Sequence, residues 1–189
     1  MEGIYIQRGR EDMIYIGFTG AHCTGKTTTA YLLKRSMKTP RRWLVVHDIV
    51  AGLPPDDNKY RLQCNIMDVF ILLEGINRRK RLRGVIQDRT IYDVYAYSRL
   101  VLDDTKFNSF YRRYRDAFRE PRYDYVFFFP IRFRCPEQRA EHWGEQYRKE
   151  IEEYVLEALD RFKVDYITVR GRSPEARVKN IRKVIKEVK

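Results

Sequence analysis

Gly20-Ala21-His22-Cys23-Thr24-Gly25-Lys26-Thr27-Thr28 follows directly on the apolar run Ile14-Tyr15-Ile16-Gly17-Phe18, and this succession of strand, glycine-rich loop and helix start decides the fold. Gly20 through Thr27 spell a P-loop, the Walker A pattern. Gly20 and Gly25 let the backbone curl so that successive N–H groups converge on a phosphate, and a helix opening at Lys26 adds its positive N-terminal pole. Lys26 is expected to reach the β- and γ-phosphates and Thr27 to ligand Mg2+. Residues 20 to 28 together form the expected nucleotide cradle.

Outward from the loop, apolar spacing predicts a helix over 26–38, a strand over 44–47, a loop through Pro54-Pro55-Asp56-Asp57 and a long helix over 59–82. A short buried strand over 84–88 is followed by helices over 92–102 and 107–118. Tyr123 to Phe129 is rich in aromatic and β-branched residues and reads as a central strand, which Pro130 ends. A charged helix over 137–162, a last strand over 164–169 and a C-terminal helix capped by Ser173-Pro174-Glu175 complete the order. Strands separated by helices need crossover connections, hence a parallel sheet covered on both faces: a three-layer α/β/α P-loop domain.

The 189 residues, 43% of them hydrophobic, suffice for one core, and no Pro/Gly/Ser-rich linker divides them; a single domain over 1–189 is expected, with its core from Met13. Absence of an apolar stretch of membrane length and of a signal-peptide pattern predicts a cytoplasmic protein without a membrane partner. Three cysteines, odd in number and widely spaced, fit neither a disulfide framework nor a zinc site, and Cys23 reads as a small filler of the loop. The net charge of +12 favours anionic partners. Basic residues cluster at 78–83, at Arg112, Arg113, Arg115, Arg119 and Arg122, and at Arg132, Arg134 and Arg139, so a nucleic-acid partner stays open beside plain solvated helix faces.

Three further positions carry chemistry. Asp88 closes the 84–88 strand where a Walker B carboxylate holds Mg2+, with an ion pair or helix N-cap as the alternative. Arg89 follows it, directed at a second phosphate or an anionic acceptor. Asp48, after the 44–47 strand, is the candidate that takes or orients the acceptor proton, and its neighbour His47 reads as a core histidine. Arg132 and Arg134 lie after Pro130 in a segment, about 131–145, expected to act as a small helical lid closing guanidinium groups over the moving phosphoryl.

On the 20–30 loop, Asp48, the 87–100 run, the 123–129 strand and the 152–169 run, the chain resembles P-loop kinases of the nucleoside and nucleotide kinase group. It looks closest to the AAA-like ATPase branch typified by ribosylnicotinamide kinase domains. The resemblance implies a five-stranded parallel sheet, a Mg-ATP donor, an acceptor over the strand ends and a short lid. Relatives often carry Glu and then Arg after the second strand; here Asp48 is followed by no arginine until Arg61, and the lid lacks an Asp-Gly-x-Arg element. The acceptor is therefore unassigned.

The expected function is ATP- and Mg-dependent phosphoryl transfer to a nucleoside- or nucleotide-like small molecule. A polynucleotide kinase, with Tyr92, Tyr95 and Tyr111 stacking bases although tyrosines at helical spacing usually pack, and an ATP-hydrolysing nucleic-acid-binding regulator are the alternatives. A homodimer stays open.

Overall fold

A computed structural model describes residues 13–46, 82–119, 123–135 and 144–187. The first strand, β1 (Ile14–Thr19), runs into the phosphate loop and then α1 (Lys26–Ser36). A short 3-10 turn (Pro40–Arg42) leads to β2 (Trp43–Val46), and after the undescribed residues come β3 (Gly84–Asp88), α2 (Ile91–Val101) and α3 (Asp104–Arg119). The chain ends with β4 (Tyr125–Phe128), α4 (Glu145–Arg161), β5 (Tyr166–Thr168) and α5 (Pro174–Glu187). The expected 59–82 helix lies outside the described residues up to Arg81, as do Met1 to Asp12, His47 and Asp48, Arg78 to Arg81, Arg122 and Arg139.

All five strands are parallel, in the order β2-β3-β1-β4-β5. The phosphate-loop strand β1 is central, with Phe18 opposite Asp88 of β3 and Phe127 of β4. This register puts the ends of β1, β3 and β4 on one edge, the place where open α/β sheets collect ligands.

The two faces are covered by different helices. Side chains alternate along β4: Val126 and Phe128 pack with Tyr95 of α2, Phe110 and Phe118 of α3 and Ile151 and Val155 of α4, whereas Phe127 and Phe129 pack with Leu33 of α1 and Val178 and Ile181 of α5. Burying each large apolar side chain contributes about 1.5–3 kcal/mol, so the two layers supply the main stabilisation. The buried faces follow the 3.6-residue helical period: Ile151, Val155, Ala158 and Leu159 are fully buried.

That packing corrects one reading of the tyrosines. Tyr92 and Tyr95 are 3% and 1% exposed, and Tyr111 stacks within the same cluster against Phe118 and Phe162. Helical spacing turns them into the α2–α3–α4 layer, so they are core residues and not a platform for bases. The arginines of α3 do face outward: Arg112, Arg113, Arg115 and Arg119 are all exposed.

Element ends move for identifiable reasons. β4 starts at Tyr125, two residues later than expected, because the carboxylate of Asp124 takes the amide hydrogen of Tyr15 (2.7 Å) in place of a ladder carbonyl. α3 starts earlier, at Asp104, because Asp103 accepts from the Lys106 amide (2.9 Å) and caps the first turn. Ser173 accepts from the Ala176 amide (3.2 Å) at the start of α5, as its sequence predicts. Among the described residues no helix is long and apolar enough to cross a membrane.

Candidate phosphate-binding site

Gly20 leaves β1 at φ 132°, a conformation that side chains disfavour, and a Cβ there would lie 2.5 Å from the Phe129 carbonyl oxygen. Gly25 sits at φ 85°, and a Cβ would strike the Arg177 guanidinium. Both glycines are thus required, by backbone conformation and by close approach. Gly25 is also the N-cap of α1 but supplies no side-chain cap, and the first turn holds no acidic residue. No side-chain cap competes with an anion at the leading amides of α1, and the helix dipole lies behind them.

Lys26 is 5% exposed and curls over the loop: its Nζ donates to the carbonyls of Gly20 (2.6 Å) and Ala21 (2.6 Å) and to Thr24 Oγ1 (3.3 Å). Thr24 Oγ1 in turn donates to the Ala21 carbonyl (2.9 Å). Thr27 Oγ1 donates to Asp88 Oδ2 (2.5 Å), so the adjacency of β1 and β3 joins the Walker A hydroxyl to the strand-end carboxylate. Asp88 is 4% exposed, and Thr28 is exposed beside the helix start. A hydroxyl and a carboxylate are hard oxygen donors of the kind Mg2+ takes, and that ion needs few protein ligands where phosphates and waters complete its shell. The donor set fits.

Arg89 also has positive φ (89°), and its guanidinium is held 4.5 Å from the centre of the Tyr97 ring. Tyr97 approaches Tyr147 at 6.5 Å between ring centroids, and its hydroxyl lies 3.3 Å from His22 Nδ1. His22, Arg89, Tyr97 and Tyr147 therefore form one polar-aromatic wall beside the loop. Burial pushes the Tyr147 hydroxyl above its ordinary pKa, with Tyr97 adding to the rise and Arg89 opposing it.

Both arginines of the expected lid are at the surface. Arg132 is exposed, and its Nη2 donates to the Val169 carbonyl beyond β5 (3.1 Å); Arg134 is exposed nearby. Residues 131–135 are tied down: the Ile131 amide donates to Glu152 (2.9 Å), the Cys135 amide to Glu145 (3.0 Å), and the Phe133 carbonyl accepts from fully buried Arg148 (3.1 and 3.2 Å). The rest of the expected lid, up to residue 143, lies outside the described residues, as does Asp48.

Three contributors escaped the sequence reading. Asp93 on α2 is 1% exposed and accepts from the amides of Gly20 (3.0 Å) and Thr90 (2.7 Å) and from Thr90 Oγ1 (2.9 Å). Its signal was present in Thr90-x-x-Asp93, a capping box, and that box also gives the N-cap of α2 to Thr90, not Asp88. Burial raises the Asp93 pKa, against the nearby charges of Lys26 and Arg89. Arg177 on α5 is 3% exposed and donates Nη1 to the Thr24 carbonyl (2.9 Å) and Nε to the Gly171 carbonyl (3.0 Å). Desolvation, and then Arg132, lower its pKa. No local pattern marks Arg177, because its partner lies 153 positions away.

The third is Cys135. The reading of the cysteines as unpaired is corrected: Cys23 and Cys135 form a disulfide with Cα atoms 5.5 Å apart. Spacing along the chain, 112 residues, concealed a contact that the β1–β4 pairing creates.

A strand, a phosphate loop leading into a helix without a side-chain cap, and a hydroxyl–carboxylate pair at adjoining strand ends define a P-loop α/β domain with the fold of the nucleoside and nucleotide kinases. The chain belongs to a family described as an AAA domain, which matches residues 15–177. No curated protein sequence matches it at a significant level. Among solved structures it is similar to a deoxyadenosine kinase from M. mycoides bound to dCMP and dCDP products (TM-score 0.65, 16% identity, 93% of this chain and 100% of that one). It is also similar to NadR protein in complex with NR, at TM-score 0.70 and 17% identity over 93% of this chain but only 49% of that one. A thymidylate kinase from Candida albicans aligns at TM-score 0.61 and 17% identity, covering 93% of this chain and 92% of that one.

Proposed function

We propose that this protein transfers the γ-phosphoryl group of ATP to a hydroxyl or phosphate of a nucleoside- or nucleotide-like small molecule. The observation that carries the reading is the Thr27–Asp88 hydrogen bond beside Lys26 at the uncapped head of α1. The loop amides and Lys26 bind the donor phosphates, and Thr27 and Asp88 would hold Mg2+, which when bound neutralises charge on the β- and γ-phosphates. Arg89, steadied by Tyr97, faces the anionic part of the acceptor, and Asp48 takes or orients its proton. Arg132 or Arg134 meets the transferring group. Such a reaction needs little covalent participation from the protein; positioning and preorganised charge supply most of the rate. The nucleoside and nucleotide kinases that share the fold support this class of acceptor.

The test is transfer of labelled γ-phosphate from ATP across nucleosides, nucleoside monophosphates and 5′-hydroxyl oligonucleotides, with Lys26→Ala as control. Label on a nucleoside or a monophosphate, lost in the control, is the expected result. Phosphate release with no labelled acceptor would overturn the kinase reading in favour of a nucleotide hydrolase.

A further inference from the structure

We infer that Cys23 and Cys135 form a reversible dithiol–disulfide pair that regulates the phosphate loop, with oxidation weakening nucleotide binding; this rests on the nucleotide reading above. The pair is unusual in its place. Cys23 lies inside the loop at φ 55°, between Ala21, whose carbonyl holds Lys26, and Thr24, whose carbonyl holds Arg177. Cys135 lies at the end of the 131–135 segment, where its amide is bound by Glu145 at the start of α4. The bond therefore fastens the phosphate loop to α4 through a segment that Arg148 and Glu152 already anchor.

A structural staple is an inadequate explanation. Disulfides stabilise small domains that lack a sufficient core, whereas this sheet is packed by buried side chains on both faces. The bridge joins a ligand-binding loop to a surface segment and leaves both core layers to their own contacts. While it is closed, Cys23 is held by Cys135 and Thr24 by Arg177, from two sides of the loop. To meet a β- or γ-phosphate, Lys26 must leave the carbonyls of Gly20 and Ala21, and the loop must adjust as those two bonds are given up. A loop pinned at two successive residues resists that change; opening the bridge releases one of the pins.

The exchange chemistry balances with a low-molecular-weight disulfide as oxidant. Cys23 is half-buried and Cys135 is 7% exposed, so Cys23 is the thiol that meets an external disulfide first. Its thiolate displaces one thiolate from the small disulfide and forms a mixed disulfide; the Cys135 thiolate then attacks Cys23 Sγ and expels the second. Two protein thiols are oxidised, one external disulfide is reduced to two thiols, and the two protons pass to the departing thiolates. A small dithiol reverses the sequence.

The experiment measures ATP binding by calorimetry, with and without Mg2+, on full-length protein equilibrated with oxidised or reduced glutathione, alongside peptide mapping without reductant. We expect a Cys23–Cys135 linked peptide only after oxidation, at least tenfold weaker ATP binding in that state, and full recovery with dithiothreitol. Cys135→Ser should bind ATP equally in both buffers and match the reduced wild type, and Cys64→Ser should respond as wild type does. Equal or tighter binding by the oxidised protein, or a linked peptide containing Cys64 in place of either partner, would overturn the switch. Binding that is absent from the reduced and the oxidised protein alike would instead remove the nucleotide reading, and the switch with it.

Discussion

The buried carboxylate of Asp93 accepts the amide hydrogen of Gly20 from 73 positions further along the chain, so the first residue of the phosphate loop is held by the first turn of α2. Asp93→Ala removes the reciprocal cap of α2, worth about 1 kcal/mol. It also leaves the buried Gly20 N–H without this acceptor, at a cost of about 1–3 kcal/mol. Denaturant unfolding should therefore show a loss of about 2–4 kcal/mol, accompanied by weaker nucleotide binding.

Asp93 also predicts a pH dependence. Its pKa is raised from 3.8 by burial, so between 3.8 and the folded-state value the folded protein keeps a proton that the unfolded chain has released. Stability then falls as pH rises through that window, by at most about 1.4 kcal/mol per pH unit, and is unaffected by this group above it. Subtracting the profile of Asp93→Asn from that of wild type should isolate this downward slope. A difference profile that is flat, or rises with pH, would contradict the burial effect.

Thr27→Ala and Asp88→Asn each break the hydroxyl–carboxylate pair at the strand ends. Transfer should fall about 100-fold or more, the size of losing one preorganised charge-stabilising contact. Binding of ATP in the absence of Mg2+ should change little in Thr27→Ala, because the amides and Lys26 remain. Equal losses with and without the metal would place Thr27 outside the metal site.

Arg177→Lys tests the support beneath the loop. A lysine keeps the charge but cannot donate to Thr24 and Gly171 together in the same forked geometry. Losing one charged hydrogen bond costs about 1.5–3 kcal/mol, and thermal unfolding should register it. Arg177→Met, which removes both the charge and the guanidinium that lies 5.4 Å from the centre of the Phe133 ring, should cost at least as much.

Two surfaces of α3 should respond in opposite ways. Phe118, 1% exposed among aromatic neighbours, should cost about 3–5 kcal/mol when cut to alanine. Arg112→Glu with Arg113→Glu, on the exposed side, should stay within about 0.5 kcal/mol per site. Small-molecule turnover should also persist in the double variant; its loss with oligonucleotide acceptors alone would restore the polynucleotide reading.

What could be read directly from the chain was whatever is local. The loop glycines, the strand closing at Asp88 and the apolar faces around Ile151 and Val155 are short-range patterns, and each predicts one element. The order of the strands and the contacts across it are long-range. Asp93 reaches the loop only because β1 lies beside β3, Arg177 reaches it from 153 positions away, and Cys23 reads locally as a filler. Tyr92 and Tyr95 show the converse, since a polar tip on an aromatic ring invites a binding role while helical spacing assigns the ring to the core, where both lie.

The bond from Arg177 to Thr24 has a consequence for biosynthesis. The loop is translated 153 residues before its partner on α5, and the two neighbours of β1 in the sheet are also translated well after it. A nascent chain therefore carries the whole Walker A sequence long before it owns the residues that shape it. The braced loop therefore waits on α5, and a chain interrupted before that helix would retain the motif without the brace.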